Sequence, residues 1–201
     1  MSEHYYSKKT STVSEEKTWS FELKGHPFTF TTDHAVFSKK EVDYGSRLLI
    51  DSYRPPEIDG DILDLGCGYG PIGLSLAKTF ENRHVVMVDV NERALNLAKK
   101  NAVANDVSNV TIKESDRLKG IEGQKFASIL TNPPIRAGKK VVHSMFEEAK
   151  EALLNEGELW VVIQKKQGAP SAKQKLEELF GNAGVVEKRK GYYILNAKKF
   201  D

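Results

Sequence analysis

The feature that most constrains the fold is a short apolar run that ends directly in a cluster of glycines, within residues 61–73. The run ends at Leu65, and glycines then follow at alternate positions: Gly66, Gly68 and Gly70. A continuous apolar run is typical of a parallel strand buried on both faces, and glycine permits backbone angles and close ligand approach that a Cβ would block. Pro71 suits the first position of a helix, where its missing N–H costs little. The stretch therefore predicts a buried strand, a ligand-binding loop and a helix.

Two kinds of nucleotide site fit this loop. Gly68–Gly73 satisfies the G-x-G-x-x-G fingerprint, and Asp89 lies about 20 residues further on, where dinucleotide-binding folds place an acid on the ribose. Asp64 favours a different ligand, because a carboxylate two residues before the first glycine would repel a pyrophosphate and attract a cation. Both alternatives predict that Asp89 ends the second strand and accepts hydrogen bonds from ribose hydroxyls.

Composition limits the classes of function. The 201 residues suit one domain with a full sheet and covering helices. Lys and Arg total 30 against 28 Asp and Glu, a formal net charge of +2, so any RNA contact must be a local basic patch. The single cysteine, Cys67, excludes an intrachain disulfide and is expected to pack rather than react. The polar N-terminus and the lack of about 20 continuous apolar residues predict a soluble cytoplasmic protein without a membrane contact.

We expect one domain over residues 1–201, made of a polar arm (1–17), a hairpin and a helix (18–58) and a catalytic core (59–201). Apolar and polar residues alternate in Trp19–Leu23 and Phe28–Thr31, on either side of turn residues at 25–27, which predicts the hairpin. Ser38 and Glu41 have capping-box spacing and predict a helix that ends before Pro55. The core is predicted to contain helices near 71–80, 92–105, 136–157 and 171–182, and strands near 84–89, 109–113, 126–131, 158–164, 185–188 and 192–195. This order predicts a parallel sheet with a C-terminal antiparallel hairpin.

A strand that ends in Asn132-Pro133-Pro134 limits the kinds of reaction that fit the site. The two prolines lack N–H donors and restrict the backbone, so Asn132 and the following carbonyls present acceptors at the end of the strand. The segment resembles the fourth motif of methyltransferases that modify planar exocyclic or amide nitrogens. The resemblance implies that these acceptors hold the protons of such a nitrogen out of plane, so that its lone pair attacks a methyl group in line. A dinucleotide oxidoreductase has no need of this array.

From about Tyr5 to the C-terminus, the chain resembles the class I S-adenosylmethionine-dependent methyltransferases. Within them it looks like the bacterial small-subunit ribosomal RNA guanine-N2 methyltransferases of the small-domain group. The resemblance rests on three segments: Val36-Phe37-Ser38-Lys39, Asp64–Gly70 and Asn132–Lys139. It implies an α/β Rossmann-like fold with a mostly parallel seven-stranded sheet and S-adenosylmethionine as cofactor. It also implies ribosomal RNA or the small ribosomal subunit as the partner, and no metal.

The resemblance further implies a role for individual residues. The cofactor residues are Asp64, Gly66, Gly68, Gly70, Asp89 on the ribose and Asp116 at the adenine. The residues at the acceptor nitrogen are Asn132, Pro133 and Pro134, and Phe37 and Ile135 would contact the substrate. Many relatives carry Tyr or Phe at the position of Ile135, where the ring stacks on the acceptor, whereas Ile135 can make only apolar contacts.

Two basic clusters follow strand ends that we expect to converge on Asn132. The predicted phosphate-binding residues are Arg136, Lys139, Lys140, Lys165 and Lys166. Their position predicts a target base that is unpaired or flipped out, since a base inside an A-form duplex cannot reach the site.

Several alternatives stay open. The same Asn-Pro-Pro chemistry serves adenine N6 and glutamine side chains of proteins. An NAD-dependent oxidoreductase and a cofactor-dead RNA-binding module are the alternatives from other classes. Some guanine-N2 enzymes also carry an additional N-terminal domain that these 201 residues lack, so target recognition is expected to differ. The oligomeric state does not follow from the sequence.

Overall fold

The computed structural model describes residues 8–9, 13–34 and 40–201. Its strands and helices are, in chain order, β1 (Glu16–Leu23), β2 (His26–Asp33), α1 (Tyr44–Ser52), β3 (Ile62–Leu65), α2 (Pro71–Thr79), β4 (Val85–Asp89), α3 (Glu92–Ala104), β5 (Val110–Glu114), β6 (Phe126–Thr131), α4 (Lys139–Ala152), β7 (Leu153–Gln164), α5 (Ala169–Phe180), β8 (Gly184–Arg189) and β9 (Tyr192–Lys198). Across these described ranges, no helix is long and apolar enough to span a lipid bilayer.

One sheet of seven strands organises the chain, in the order β5-β4-β3-β6-β7-β9-β8. The strands from β3 to β7 run parallel, whereas β9 is antiparallel to both β7 and β8. This confirms the predicted Rossmann-like fold with a C-terminal antiparallel hairpin. The direction of winding reverses between β3 and β6, and open α/β sheets bind ligands at such a point, beyond the carboxyl ends of the strands. We call that side of the sheet its carboxyl edge.

The central strands are buried on both faces, as their continuous apolar runs predict. Every residue of β3, β4 and β6 is buried, and a separate cluster of apolar side chains covers each face of the sheet. Two of these strands are also tied at the carboxyl edge, because the Thr131 hydroxyl donates to the Leu65 carbonyl at 2.9 Å. The loops that follow β3 and β6 therefore begin from fixed, adjacent points.

The hairpin β1–β2 forms a separate two-stranded sheet that packs beside α3. Two asparagines of α3 bond its backbone as a neighbouring strand would: Asn101 accepts from the Thr31 N–H at 2.7 Å, and Asn105 accepts from the Thr29 N–H at 2.8 Å. The Asn101 amide also donates to the Tyr69 carbonyl at 2.9 Å. The hairpin is thereby joined to the glycine-rich loop after β3.

Three predicted boundaries are wrong. The helix α1 begins at Tyr44, because Asp43 caps it by accepting from the Ser46 N–H at 3.0 Å; Ser38 of the predicted capping box lies outside the described residues, as does Phe37. His26 does not lie in the turn: it pairs with Leu23 as the first residue of β2. The two-residue turn is formed by the residues before it, Lys24 and Gly25, which have φ values of 49° and 77° as such tight hairpins require.

The third wrong boundary concerns the helix that was predicted to end near Gly157. Helix α4 ends at Ala152, and β7 begins at once, because Leu153 already pairs with Phe126 of β6. The register then shifts before Glu158 pairs with Ser128. The residues predicted as a helix end and turn therefore form an irregular first part of the strand.

Candidate functional site

A cavity of about 380 Å³ opens at the carboxyl edge of the sheet, where strands β3 to β6 end. This volume is within the range of small-molecule sites. Five of the predicted site residues line it together: Gly66, Asp89, Asp116, Asn132 and Pro134. One continuous cavity thus joins the glycine-rich loop to the Asn-Pro-Pro segment.

The glycine-rich loop is held by the end of β4. The N–H groups of Gly66 and Cys67 both donate to the Val88 carbonyl, at 2.9 and 2.8 Å. Gly66 has a φ of 82°, and a Cβ added to it would meet no atom within 4 Å. Glycine is therefore favoured there by its backbone angle and leaves open space on the cavity side. Gly68 and Gly70, with φ values of 57° and 106°, shape the loop without lining the cavity.

Asp89 is a buried carboxylate at the cavity wall, 4% exposed. One of its oxygens accepts from the Gly68 N–H at 2.9 Å, and the other accepts from the Asn91 N–H at 2.9 Å. These two backbone amides fix the orientation of the carboxylate. The wall therefore offers a preorganised acceptor at the end of the second parallel strand, where the sequence predicts it.

Asp64 is buried beneath the loop and does not line the cavity wall, so its role as a cofactor residue stays a prediction. Its Oδ2 accepts from the Gly73 N–H at 2.8 Å, and among the described residues its buried Oδ1 has no hydrogen-bond partner. A Cβ on Gly73 would lie 2.9 Å from this carboxylate, so glycine permits the close approach. Burial raises the pKa of Asp64 to about 7; the bond from Gly73 lowers it and the nearby Asp89 carboxylate raises it. A cation bound above the loop would favour the charged form.

Asp116 follows β5 and is exposed at the rim of the cavity. Its carboxylate lies 3.4 Å from Lys119 Nζ and 3.8 Å from Arg117 Nε. It can accept from a ligand amine, but it shares its charge with these two cations. Its place at the cavity agrees with the prediction, while its role stays a prediction.

Asn132 stands at the end of β6 with its side-chain amide held from outside the sheet. Its Nδ2 donates to Asp43 Oδ2 and to Ser46 Oγ, each at 3.2 Å. Because both protons of the amide are used, Oδ1 is the group of this side chain that can accept a hydrogen bond in the cavity. Asp43 and Ser46 were not predicted at this site. A helix cap at Asp43 could be recognised in the sequence, but no pattern linked it to residue 132.

Seven other predicted residues do not line the cavity wall: Pro133, Ile135, Arg136, Lys139, Lys140, Lys165 and Lys166. Pro133 is buried beneath it, and Arg136 and Lys165 are exposed beyond it. Ile135 does not line this cavity: it packs against the apolar cluster and lines, with Lys139, a neighbouring cavity of about 90 Å³. Its predicted contact with the acceptor stays a prediction. The apolar wall of the cavity is formed by α4 and the turn before it, through Ala137, Val141 and Met145. The amphipathic pattern of α4 was the only sequence signal for these residues.

Comparison with known proteins agrees with this geometry. The sequence model of the methyltransferase small domain matches residues 27–196. The chain is 64% identical over 200 residues to the uncharacterized protein YbxB of Bacillus subtilis, a match that covers 99% of this chain and 100% of that protein. It is 30% identical over 190 residues to the ribosomal RNA large subunit methyltransferase G of Klebsiella pneumoniae, covering 91% of this chain and 50% of that one.

The fold also matches a solved structure, the 16S rRNA N2 G1207 methyltransferase of T. thermophilus in complex with AdoMet and guanosine. The TM-score is 0.82 at 27% identity, and the match covers 92% of this chain and 50% of that one. The chain therefore spans about half the length of the two ribosomal RNA methyltransferases that it matches.

Proposed function

Because the chain belongs to the methyltransferase small-domain family, we propose that it moves a methyl group from S-adenosylmethionine to the exocyclic N2 of a guanine in small-subunit ribosomal RNA. One observation carries the proposal: a single cavity wall holds both Asp89 and Asn132. The first is a fixed acceptor suited to ribose hydroxyls, and the second is an oriented amide suited to a nitrogen nucleophile.

The loop side of the cavity fits S-adenosylmethionine. This cofactor supplies an electrophilic methyl group on a positively charged sulfur. Gly66 leaves room for close approach, Asp89 is placed to accept from the ribose, and Asp116 at the rim is placed to accept from the adenine amine. Asp64 is buried beneath the loop, where a bound cation would favour the charged form of its carboxyl and a pyrophosphate would favour the neutral form. A cationic ligand therefore gains an attraction there that NAD would not.

The Asn-Pro-Pro side fits an exocyclic amine. Asn132 Oδ1 at the cavity wall can accept one of its protons, and the Pro133 carbonyl, just beneath that wall, is the acceptor that we propose for the other. The two prolines offer no competing N–H donor. Holding both protons aligns the lone pair of the nitrogen with the incoming methyl group. The nitrogen becomes acidic only as it gains charge, so its proton can leave late and no strong base is needed.

The likeness to the T. thermophilus enzyme supports guanine N2 of the small-subunit RNA as the target. The likeness to the K. pneumoniae enzyme makes large-subunit RNA the alternative. In either RNA the base must be unpaired or flipped out to reach a cavity at the sheet edge.

The direct test uses ribosomal RNA from cells that lack the protein. The purified chain and S-adenosylmethionine with a labelled methyl group are incubated with 16S RNA, 23S RNA, each ribosomal subunit and the protein fraction in separate reactions. Nucleoside mass spectrometry should find N2-methylguanosine in small-subunit RNA. Label in 23S RNA, in N6-methyladenosine or in protein glutamine would reject the target, and calorimetric binding of NAD in preference to S-adenosylmethionine would reject the reaction.

A further inference from the structure

We propose that a platform beside Asn132 binds an unpaired nucleotide next to the one that is methylated. Four side chains, two aromatic and two basic, form what we call the aromatic–basic platform: Tyr44, Arg47, Lys190 and Tyr192. The inference rests on the proposed function, because it takes RNA as the substrate. It adds to that function the place on the protein that holds the RNA strand next to the target base.

The platform lies next to the Asn-Pro-Pro side of the cavity, which we call its acceptor side. Tyr44 directly follows Asp43, whose carboxylate accepts from Asn132 Nδ2 at 3.2 Å. From the opposite direction, the Tyr192 hydroxyl accepts from Gln164 Nε2 at 2.7 Å, at the end of β7. Strand β7 is the neighbour of β6, which ends just before Asn132. A nucleotide on the platform can therefore adjoin one in the cavity.

The two tyrosine rings are positioned by the fold. Their centroids are 5.5 Å apart with 51° between the ring planes, and both residues are partly exposed. The Tyr192 ring lies on the first turn of α1, where a Cβ on Gly45 would be only 2.9 Å from its Cε1. Rings that are already ordered lose little entropy when a base stacks on them.

Two cations lie over the Tyr44 ring, with Lys190 Nζ at 4.8 Å and Arg47 Cζ at 5.3 Å from its centroid. Within the ranges that the structure describes, neither forms an ion pair with a carboxylate. The Arg47 Nε is also buried without a hydrogen-bond partner there. Cations held over aromatic faces, with no carboxylate paired to them, keep their charge for phosphates.

The position of Lys190 follows from its turn. Lys190 and Gly191 form the two-residue connection of β8 and β9, with φ values of 49° and 79°. The Gly191 carbonyl accepts from the Lys165 N–H at 2.8 Å, which brings the predicted phosphate-binding segment after β7 beside the platform. The exposed side chain of Lys190 can turn from the ring to a phosphate when a base takes its place. Such stacking requires a free base face, which an A-form duplex does not offer.

The same hairpin, β8–β9, provides a matched control on the other face of the sheet. Lys188 Nζ lies 4.9 Å from the centroid of the Tyr193 ring, a cation–aromatic pair like that of Lys190 and Tyr44. Tyr193 packs against the apolar cluster opposite to the one that Tyr44 and Tyr192 contact. Substitutions at this control pair should remove a similar cation–aromatic contact without changing the affinity for RNA.

The test measures fluorescence anisotropy of a labelled, unstructured RNA oligonucleotide and of its duplex over a range of salt concentrations. The wild type should prefer the single strand. Tyr44→Leu should weaken this binding on the order of tenfold, whereas Tyr44→Phe should retain it. Lys190→Gln should reduce the log–log salt slope by about 0.7, the value of one lost phosphate contact. Tyr193→Leu and Lys188→Gln should match the wild type, and all variants should bind S-adenosylmethionine equally by calorimetry.

Equal RNA affinities for Tyr44→Leu and Tyr193→Leu would overturn the platform, as would an equal preference for duplex or no binding of the single strand. Lys190 is exposed, so the salt slope of Lys190→Gln decides the matter even if Tyr44→Leu does not fold. The binding assay needs no methyl transfer. If the anisotropy results are as expected but small-subunit RNA is not methylated, the proposed function alone is rejected. If small-subunit RNA is methylated but the anisotropy results are not as expected, the platform alone is rejected.

Discussion

The two sides of the cavity are organised by different parts of the chain. On the loop side, backbone amides of residues 66–68 bond to Val88 and Asp89, one strand–helix unit further on. On the acceptor side, Asn132 is held by Asp43 and Ser46, which lie 89 and 86 positions earlier in the chain. The first side is built from consecutive units of the sheet, whereas the second depends on a helix that precedes the sheet.

Because of this difference, we expect the two sides of the cavity to control different quantities, cofactor affinity on the loop side and turnover on the acceptor side. The loop side is fixed by the backbone of the buried core. The acceptor side depends in addition on Asp43 and Ser46, which lie outside the sheet. Substitutions on the loop side should therefore alter cofactor affinity or core stability, and substitutions on the acceptor side should alter turnover.

The largest effect is expected for Asn132→Ala. Removing one positioned acceptor of the reacting nitrogen should lower turnover on the order of 10²–10³-fold, as loss of comparable electrostatic stabilisers does. Calorimetry should show unchanged affinity for S-adenosylmethionine, because the side chain does not belong to the loop side. Asn182→Ala, which removes an amide bonded to the Lys198 carbonyl, is the control and should keep full turnover. Retained methylation by Asn132→Ala with normal cofactor binding would remove Asn132 from the reaction.

The next effect concerns Asp64, whose pKa of about 7 in the fold exceeds the ordinary 3.8. The unfolded chain releases this proton at lower pH than the folded one, so rising pH destabilises the wild type relative to Asp64→Asn until the folded pKa is passed. Between pH 5 and 8 the difference in free energy of unfolding should change by roughly 2–3 kcal/mol, at about 1.4 kcal/mol per pH unit. Urea unfolding at both pH values measures it.

The control for this pH dependence is Asn182→Ala, whose stability relative to the wild type should not vary with pH because its amide bonds the backbone of Phe180 and Lys198. A pH-independent difference for Asp64→Asn as well would mean that the Asp64 carboxyl keeps an ordinary pKa. The two sides of the cavity would then differ in their hydrogen bonds and not in the charge state of a buried carboxyl.

A smaller effect is expected for Asp89→Ala. The lost ribose acceptor should weaken S-adenosylmethionine binding roughly tenfold, about 1.5 kcal/mol, as for hydrogen bonds to a charged group. Turnover at saturating cofactor should fall less than for Asn132→Ala. Asp89→Asn keeps one oxygen acceptor and should fall between the alanine variant and the wild type in a calorimetric series. An unaltered affinity in Asp89→Ala would exclude this carboxylate from the cofactor site.

The fold and the loop side could be predicted because their signals are local. The buried strands β3, β4 and β6 are apolar runs, and the positive φ of Gly66 requires the residue type that the sequence shows. The position of Asp89 follows from the end of an apolar run in the same way. Sheet order then brings Asp89 and Asn132 to one cavity, as parallel strands must.

The acceptor side could not be fully predicted because its contacts are set by tertiary packing. Nothing in the local sequence shows that Asp43, a helix cap, also accepts from Asn132. Ile135 follows the Asn-Pro-Pro segment directly, yet its short helical turn directs it toward the core. The apolar wall from Val141 and Met145 is visible only once α4 has docked.

The smallest predicted effect tests the link between α1 and the acceptor side. Ser46→Ala removes one of the two acceptors of Asn132 Nδ2 and leaves Asp43 in place, so the amide should be less firmly oriented. We expect turnover to fall severalfold, corresponding to about 0.5–1.5 kcal/mol for one hydrogen bond, with unchanged cofactor affinity. Ser128→Ala is the matched control: this buried hydroxyl accepts from the Tyr53 hydroxyl at 2.8 Å, away from the cavity wall. Both variants should lose stability, but only Ser46→Ala should lose turnover in a steady-state assay at saturating cofactor. If the two variants kept equal turnover, Asn132 would be oriented by Asp43 alone and Ser46 would have only a packing role.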